Sequence, residues 1–350
     1  MLISFLETLS TELESVNGLM MTFGFFFTKV DLIFMEVVTK KQMPRICTID
    51  APCKLNLHLE IGAKGPDGFH ELESLFVPLA LADSLCFEPG AKTGDCELSV
   101  SWEIPEENLP KEKNLVFRAV SLFRQLTGFD SGLRVRLVKR IPLGAGLGGG
   151  SSDAASCLLA LNQLSNIVLP ADELKKAALQ LGSDVPFFLN AEAAIVSGRG
   201  EVIRPIKPVP VLWVVLVKPP IAVSTANAFR LLDEARAMEP VPGTEAEKKG
   251  FFPKLSRESI IQALNGEPRN WPFFNDFLSV NAGFNYSAIL EVLREKGASF
   301  AGLSGSGSCC FGIFKGKKTA EEAEKRLSGL GNYVKLTFFL ARRADPVLQY

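Results

Sequence analysis

The chain has 350 residues, 47% of them hydrophobic and 22% charged, with 38 Lys and Arg against 39 Asp and Glu. That composition excludes a disordered or fibrous protein, and the near-zero net charge supplies no global basic field for nucleic acid or an anionic membrane. A nucleotide-sized partner needs only local charge, and this length accommodates two domains with ample cores.

Residues 1–44 stand apart. Gly18 to Phe27 is apolar, but the uncharged run ends at Lys29 and Asp31, short of a membrane span. Glu7, Glu12 and Glu14 precede it where a signal peptide carries basic residues. With further methionines at 35 and 43, the segment reads as an N-terminal extension, poorly ordered or an over-extended start. Seven cysteines without CxxC spacing, and only His58 and His70 beside them, argue against zinc and for reduced thiols in a cytoplasmic protein.

From Lys54 to Ile61 polar and apolar residues alternate, which predicts a strand with Leu55, Leu57, Leu59 and Ile61 buried. Lys54, Asn56, His58 and Glu60 share its other face, which by itself reads as a solvated one. Gly62 to Gly68 is a turn-rich loop that delivers Phe69-His70-Glu71, followed by an apolar stretch over 75–82 and further strands over 83–102. Asn114 is an N-cap for a helix over 115–126 that Gly128 stops, and Leu133 to Leu137 alternates as a strand.

Five glycines between Gly144 and Gly150, then Ser151 and Ser152, lead into a helix expected from Ser152 to about Leu164. Backbone without Cβ can turn its N–H groups inward, and a helix opening at such a loop adds unpaired N–H groups and the positive end of its dipole. The combination predicts an anion cradle, most often for phosphate, over a plain flexible linker. Gly144-Ala145-Gly146-Leu147-Gly148-Gly149 also satisfies the G-x-G-x-x-G dinucleotide pattern. That pattern requires an acid at the end of a second strand, whereas Asp172 and Glu173 open a helix. No Gly-Lys-[Ser/Thr] follows, so the loop is not a Walker A motif.

A helix over 171–181 ends at Gly182, and Asp184, two residues before Pro186, reads alone as turn chemistry. Prolines at 205, 208 and 210 suggest a domain boundary. Beyond it lie a strand over 211–217, a polar insertion over 238–250 and a helix over 288–296. A small-residue loop over 301–307 precedes a Cys/Phe strand, and a helix over 319–327 leads to a strand over 334–340.

Pro142 to Ala155 resembles the phosphate-binding signature of the GHMP kinases. Ala51-Pro52-Cys53-Lys54-Leu55-Asn56-Leu57 and Asp67-Gly68-Phe69-His70-Glu71-Leu72 narrow the resemblance to the 4-diphosphocytidyl-2-C-methyl-D-erythritol kinase branch of the non-mevalonate isoprenoid route. Gly182 to Phe188, Asn275-Asp276-Phe277 and Ser304 to Ser308 resemble its later motifs in the same order. The resemblance implies an α+β two-domain GHMP kinase fold with the active site in the inter-domain cleft, an ATP-binding domain over 45–206 and a C-terminal domain over 207–350.

It further implies that Lys54 and Asp184 are catalytic, Asp184 as base on the substrate's 2-hydroxyl. ATP would be held by Pro142, Leu143, Gly144, Ala145, Gly146, Leu147, Gly148, Gly149, Gly150, Ser151 and Ser152, with Asn114 at the adenine. Mg²⁺ is expected, without assigned ligands beyond the candidates Ser151 and Ser152. Asn56, Phe69, His70 and Phe229 would bind the cytidyl diphosphate substrate, the two phenylalanines sandwiching the cytosine and His70 hydrogen-bonding it. The family usually has Tyr where Phe69 stands, so stacking survives without the hydroxyl. No nucleic-acid or membrane partner is implied, and the oligomeric state stays open. The alternatives are another GHMP kinase of the mevalonate or homoserine type, a non-catalytic nucleotide-binding protein of this fold and, more distantly, a dinucleotide oxidoreductase.

Overall fold

The computed structural model describes residues 46–105, 109–165, 167–237, 255–280, 284–328 and 333–349. The expected extension over 1–44 and the insertion over 238–250 lie outside the described residues. Two long strands, β1 (Ile46–Lys64) and β2 (His70–Pro89), pair antiparallel and form the spine of the first sheet. β3 (Cys96–Trp102) and β4 (Leu133–Lys139) extend it on one side, while β5 (Ala194–Gly198) and β6 (Val202–Pro205) pair off the early part of β2. The second sheet comprises β7 (Trp213–Lys218), β8 (Phe300–Leu303), β9 (Cys310–Phe314) and β10 (Tyr333–Phe338), in the order β10-β7-β9-β8. A last strand, β11 (Val347–Gln349), returns to the first sheet beside β1. β3 with β4 is the sole parallel strand pair among the described strands, which is incompatible with a doubly wound dinucleotide fold.

Helices cover one side of the first sheet: α1 (Leu115–Thr127), α2 (Gly149–Leu164), α3 (Ala171–Leu181) and α4 (Val185–Asn190). α1 shows the expected stripe, burying Val116, Ala119, Val120 and Phe123, with the Asn114 side chain accepting from Val116 N and Gly128 left-handed at the other end. α2 is buried nearly all round, which places it centrally within the layer. Along the second sheet α5 (Thr225–Ala237), α7 (Ser287–Glu295) and α8 (Lys317–Leu327) bury Leu232, Leu290, Leu293 and Leu327, while α6 (Arg257–Leu264) packs between the sheets. No described helix is long and apolar enough to cross a membrane.

Three local expectations are corrected. α2 starts at Gly149, with Gly148 at its cap, so Ser151 and Ser152 fall in its first turn. The left-handed backbone of Gly148, φ +71°, ends the loop there and is closed to other residues, since a Cβ would also meet the Phe188 ring at 2.7 Å. The small-residue loop is shorter than expected, because Phe300 to Leu303 pairs with β9. Finally, the polar face of β1 is not solvated. Lys54, Asn56 and His58 are 3%, 4% and 0% exposed, covered by backbone around Leu147, by Ser304 and by Phe273 and Phe274.

His58 shows the energetic consequence. Its Nδ1 accepts from Phe274 N at 3.4 Å, and Nε2 is 4.0 Å from Glu60 Oε2. Burial holds its pKa down at about 4, from an ordinary 6.5. The fold therefore accommodates the neutral ring, whose stabilisation is complete above pH 6.5 and lost as the pH falls toward 4. At about 1.4 kcal/mol per pKa unit, that window spans about 3 kcal/mol. Urea unfolding of the wild type and His58→Gln between pH 7 and 4.5 should show their stability difference shrinking by about 2–3 kcal/mol; parallel pH profiles would contradict a neutral buried His58.

Candidate active site

Three sets of residues come together around β1. The first is the glycine loop. Pro142 to Ser151 line a cavity of about 320 Å³ together with Asn114, Lys113, Lys139 and Asp153. Gly144, Gly146 and Gly148 all have positive φ, between +59° and +74°, the conformations that let successive N–H groups face one concavity. The loop is held from behind. A Cβ on Gly146 would lie 2.1 Å from Ser304 O, and Ser304 Oγ donates to Gly146 O at 2.9 Å. Ser152, grouped with the loop in the sequence, does not line this cavity; it is fully buried, and its hydroxyl has no hydrogen-bond partner.

Beneath the loop lies a buried charge cluster with no local pattern to announce it. Lys139 Nζ donates to Asp83 Oδ2 and, at 2.7 Å, to Asp153 Oδ2. Asp83 Oδ1 also accepts from the N–H groups of Arg140 and Ile141. Burial pushes the Asp153 carboxyl up to about 8, only partly countered by Lys139. For Lys139, burial opposes the charge, but Asp153 and Asp83 outweigh it and raise the pKa. One ammonium is thus fixed under the first turn of α2, joining β2, β4 and that helix.

The second set is Lys54, Asn56 and Asp184. Lys54 Nζ donates to Asn56 Oδ1, lies 3.6 Å from Asp184 Oδ2 and sits 4.6 Å above the Phe76 ring. Burial lowers its pKa, while the Asp184 charge opposes the shift. Asp184 occupies the N-cap of α4, yet its carboxylate makes no cap hydrogen bond and its side chain is 33% exposed. The expected turn is present, closed by Val185 N to Gly182 O at 3.1 Å, but the Asp184 carboxylate is not used to cap it.

The third set lines a cavity of about 1000 Å³ that includes Phe69, His70, Phe229, Ser183, Arg199 and Asp233. His70 Nδ1 is 2.9 Å from Gly62 O, Nε2 is 3.0 Å from Asp233 Oδ1, and its ring stacks on Phe229 at 5.1 Å. Nδ1 is thus committed to Gly62 O, whereas Nε2 lies beside Asp233 without a hydrogen bond among the described residues and is the ring nitrogen left for a ligand. Phe69 is 57% exposed, with the Arg199 guanidinium 4.3 Å over its ring and paired to Asp67. Sequence reasoning missed Asp233 and Arg199. The Arg199 signal was its place in a Gly-Arg-Gly turn, whereas nothing local marks Asp233.

The Lys54–Asp184 pair lies between the two cavities. Lys54 N donates to Leu147 O of the cradle at 2.9 Å, and Asp184 follows Ser183 of the aromatic cavity. Asn275 secures the frame by donating to Leu303 O and Gly305 O, and Asp276 accepts from Ile61 N and from Arg236.

The arrangement agrees with comparisons to known proteins. Residues 114–192 match the profile of the GHMP kinases N terminal domain, and residues 255–332 that of the GHMP kinases C terminal. A 4-diphosphocytidyl-2-C-methyl-D-erythritol kinase from Treponema pallidum subsp. pallidum is 37% identical over 284 residues, covering 80% of this chain and 94% of the relative. A crystal structure of 4-(cytidine 5'-diphospho)-2C-methyl-D-erythritol kinase superposes with a TM-score of 0.67 at 34% identity, covering 84% of this chain and 99% of that one. The mevalonate kinase of L. major, solved with R-mevalonate, shares the fold alone, with a TM-score of 0.64 at 15% identity, over 84% and 96% of the two chains. The chain is a GHMP-type small-molecule kinase and belongs to the 4-diphosphocytidyl-2-C-methyl-D-erythritol kinase family.

Proposed function

We propose that this chain transfers the γ-phosphoryl group of ATP to the 2-hydroxyl of 4-diphosphocytidyl-2-C-methyl-D-erythritol, a step of isoprenoid precursor synthesis. The observation that carries this reading is the Lys54–Asp184 pair, 3.6 Å apart, between a glycine-lined anion cradle and an aromatic cavity. Phosphoryl transfer needs in-line positioning, neutralisation of the phosphate oxygens and an acceptor for the hydroxyl proton. Asp184, ungrasped by its own helix, accepts that proton and orients the hydroxyl. Lys54, 3.6 Å from the Asp184 carboxylate, helps orient it and stabilises charge on the transferring group.

The loop from Pro142 to Ser151 holds the phosphates through its N–H groups, with Asn114 bordering the same cavity for the adenine. Ser152 supports the first turn of α2 from its buried side. Phe69, His70 and Phe229 surround the cytosine; Asn56, buried and lining neither cavity, serves the acceptor site through its hydrogen bond to Lys54. Mg²⁺ fits the cradle, since Asp153 lines it with Oδ1 free of hydrogen bonds and Ser151 lies beside it. These hard oxygens would hold the ion together with the phosphates; bound there, it neutralises charge on the transferring group.

A mevalonate- or homoserine-type kinase is the second reading, because the fold alone is shared that widely. The aromatic cavity favours a nucleobase. ADP release measured across the three alcohols should favour the cytidyl diphosphate alcohol by about 100-fold or more in kcat/KM; preference for mevalonate or homoserine would overturn the assignment, and no turnover of any alcohol would indicate a non-catalytic nucleotide-binding protein. Asp184→Asn should leave the KM for ATP within about threefold and lower kcat by about 10²–10⁴, whereas near-normal turnover would remove Asp184 as the base. His70→Ala should raise the KM for the cytidyl substrate about tenfold with that for ATP unchanged; the reverse pattern would show the two cavities to be assigned the wrong way round.

A further inference from the structure

Ser74 lies on β2, fully buried and paired with Leu59 of β1. The register shifts between Asn56 and His58, and this bulge re-aims the strand, so that Asn56 and the main chain of His58 both reach Ser74. Ser74 Oγ is 2.5 Å from His58 O and 2.9 Å from Asn56 Nδ2. A hydroxyl has one proton to donate, and a carbonyl oxygen can only accept. The proton of Ser74 is therefore committed to His58 O, and its lone pairs face the Asn56 amide. Only Nδ2 satisfies them, so Oδ1 turns toward Lys54 Nζ, where it accepts. A flipped amide would set donors against the ammonium and an oxygen against a hydroxyl whose proton is already used.

We propose that Ser74 is a positioning residue for phosphoryl transfer, which acts through the Asn56 amide to hold the Lys54 ammonium charged and aimed beside Asp184. The proposal rests on the reading of Lys54 as the ammonium that serves the transferring group. Lys54 needs the help because it is 3% exposed and depends on few partners. Asp184 faces it from the start of α4, Cys53 adjoins it on β1 and β2 offers the neutral Phe76 ring, while Ser74 and Ser304 act on it only through Asn56. Burial already lowers the Lys54 pKa, so loss of the oriented Oδ1 makes the proton easier to remove.

Ser74→Ala removes the hydroxyl without adding volume, and Ser74→Thr retains it. Ser74→Ala should lower kcat about 10-fold or more with both KM values within about twofold. The alkaline limb of its kcat–pH profile should move toward neutral, and Ser74→Thr should restore both. In an Asn56→Ala background the Ser74 substitution should change kcat by less than about twofold, because the residue through which it acts is gone. Nitrogen-detected NMR titration of Lys54 Nζ gives a readout independent of turnover and should move to lower pH in Ser74→Ala. An unchanged Lys54 titration, or losses that add fully in the double variant, would overturn the proposal. A chain that turns over a different alcohol would refute the substrate assignment alone, since the Ser74→Ala to wild-type ratio can be measured on that alcohol.

Discussion

An ammonium taken out of water is the constraint around which this molecule is arranged. Lys54 is 3% exposed, and a cation so placed is tolerable only if fixed acceptors replace its hydration. Asn56 Oδ1, the Asp184 carboxylate and the Phe76 ring supply that replacement from β1, the start of α4 and β2. Each must be held in turn, so the requirement spreads outward through the bulge in β1, the Ser74 hydroxyl and the cap position of α4. On the proposed mechanism, what serves catalysis is also what makes the buried charge permissible.

The same economy governs the meeting of the two sheets. Gly146 and the loop at 304–308 approach so closely that no side chain could lie between them, and Ser304 bonds both the cradle and β1. Asn275 then ties the Ser304 loop to β8. The glycine loop and the 304–308 loop of the second sheet are joined by backbone contact rather than by interleaved side chains. Such contact fixes distances to fractions of an ångström, which in-line transfer demands.

Much of this was legible in the sequence, and what was not has identifiable causes. The Asn114 cap, the Gly128 stop, the strand over β4 and the glycine loop follow from local backbone chemistry, which sequence expresses directly. The burial of Lys54, Asn56 and His58 was not legible, because their cover arrives from residues around 147, 274 and 304, far along the chain. The start of α2 was misplaced because the left-handed backbone of Gly148 ends the loop there, and the Phe188 ring that also excludes a Cβ is distant in sequence. Recognition of Lys54, Asp184, Phe69 and His70 came from motif resemblance; periodicity alone assigned them a solvated face and a turn. Asp233 and the Lys139 cluster carry no local signature, because each becomes meaningful only through a partner distant in sequence.

The short strand β11 has a kinetic meaning. Val347 to Gln349 pair with Ile46 to Thr48, so among the described residues the start of β1 is paired on that edge by a segment synthesised about 300 residues later. Arg343, buried nearby, donates to Phe188 O and Asp50 O and locks the return path. On the ribosome the first sheet therefore emerges with one edge of β1 open, a surface that invites pairing with other chains until the last segment arrives. Completion of the first sheet is thus a late, long-range closure and not an early local event.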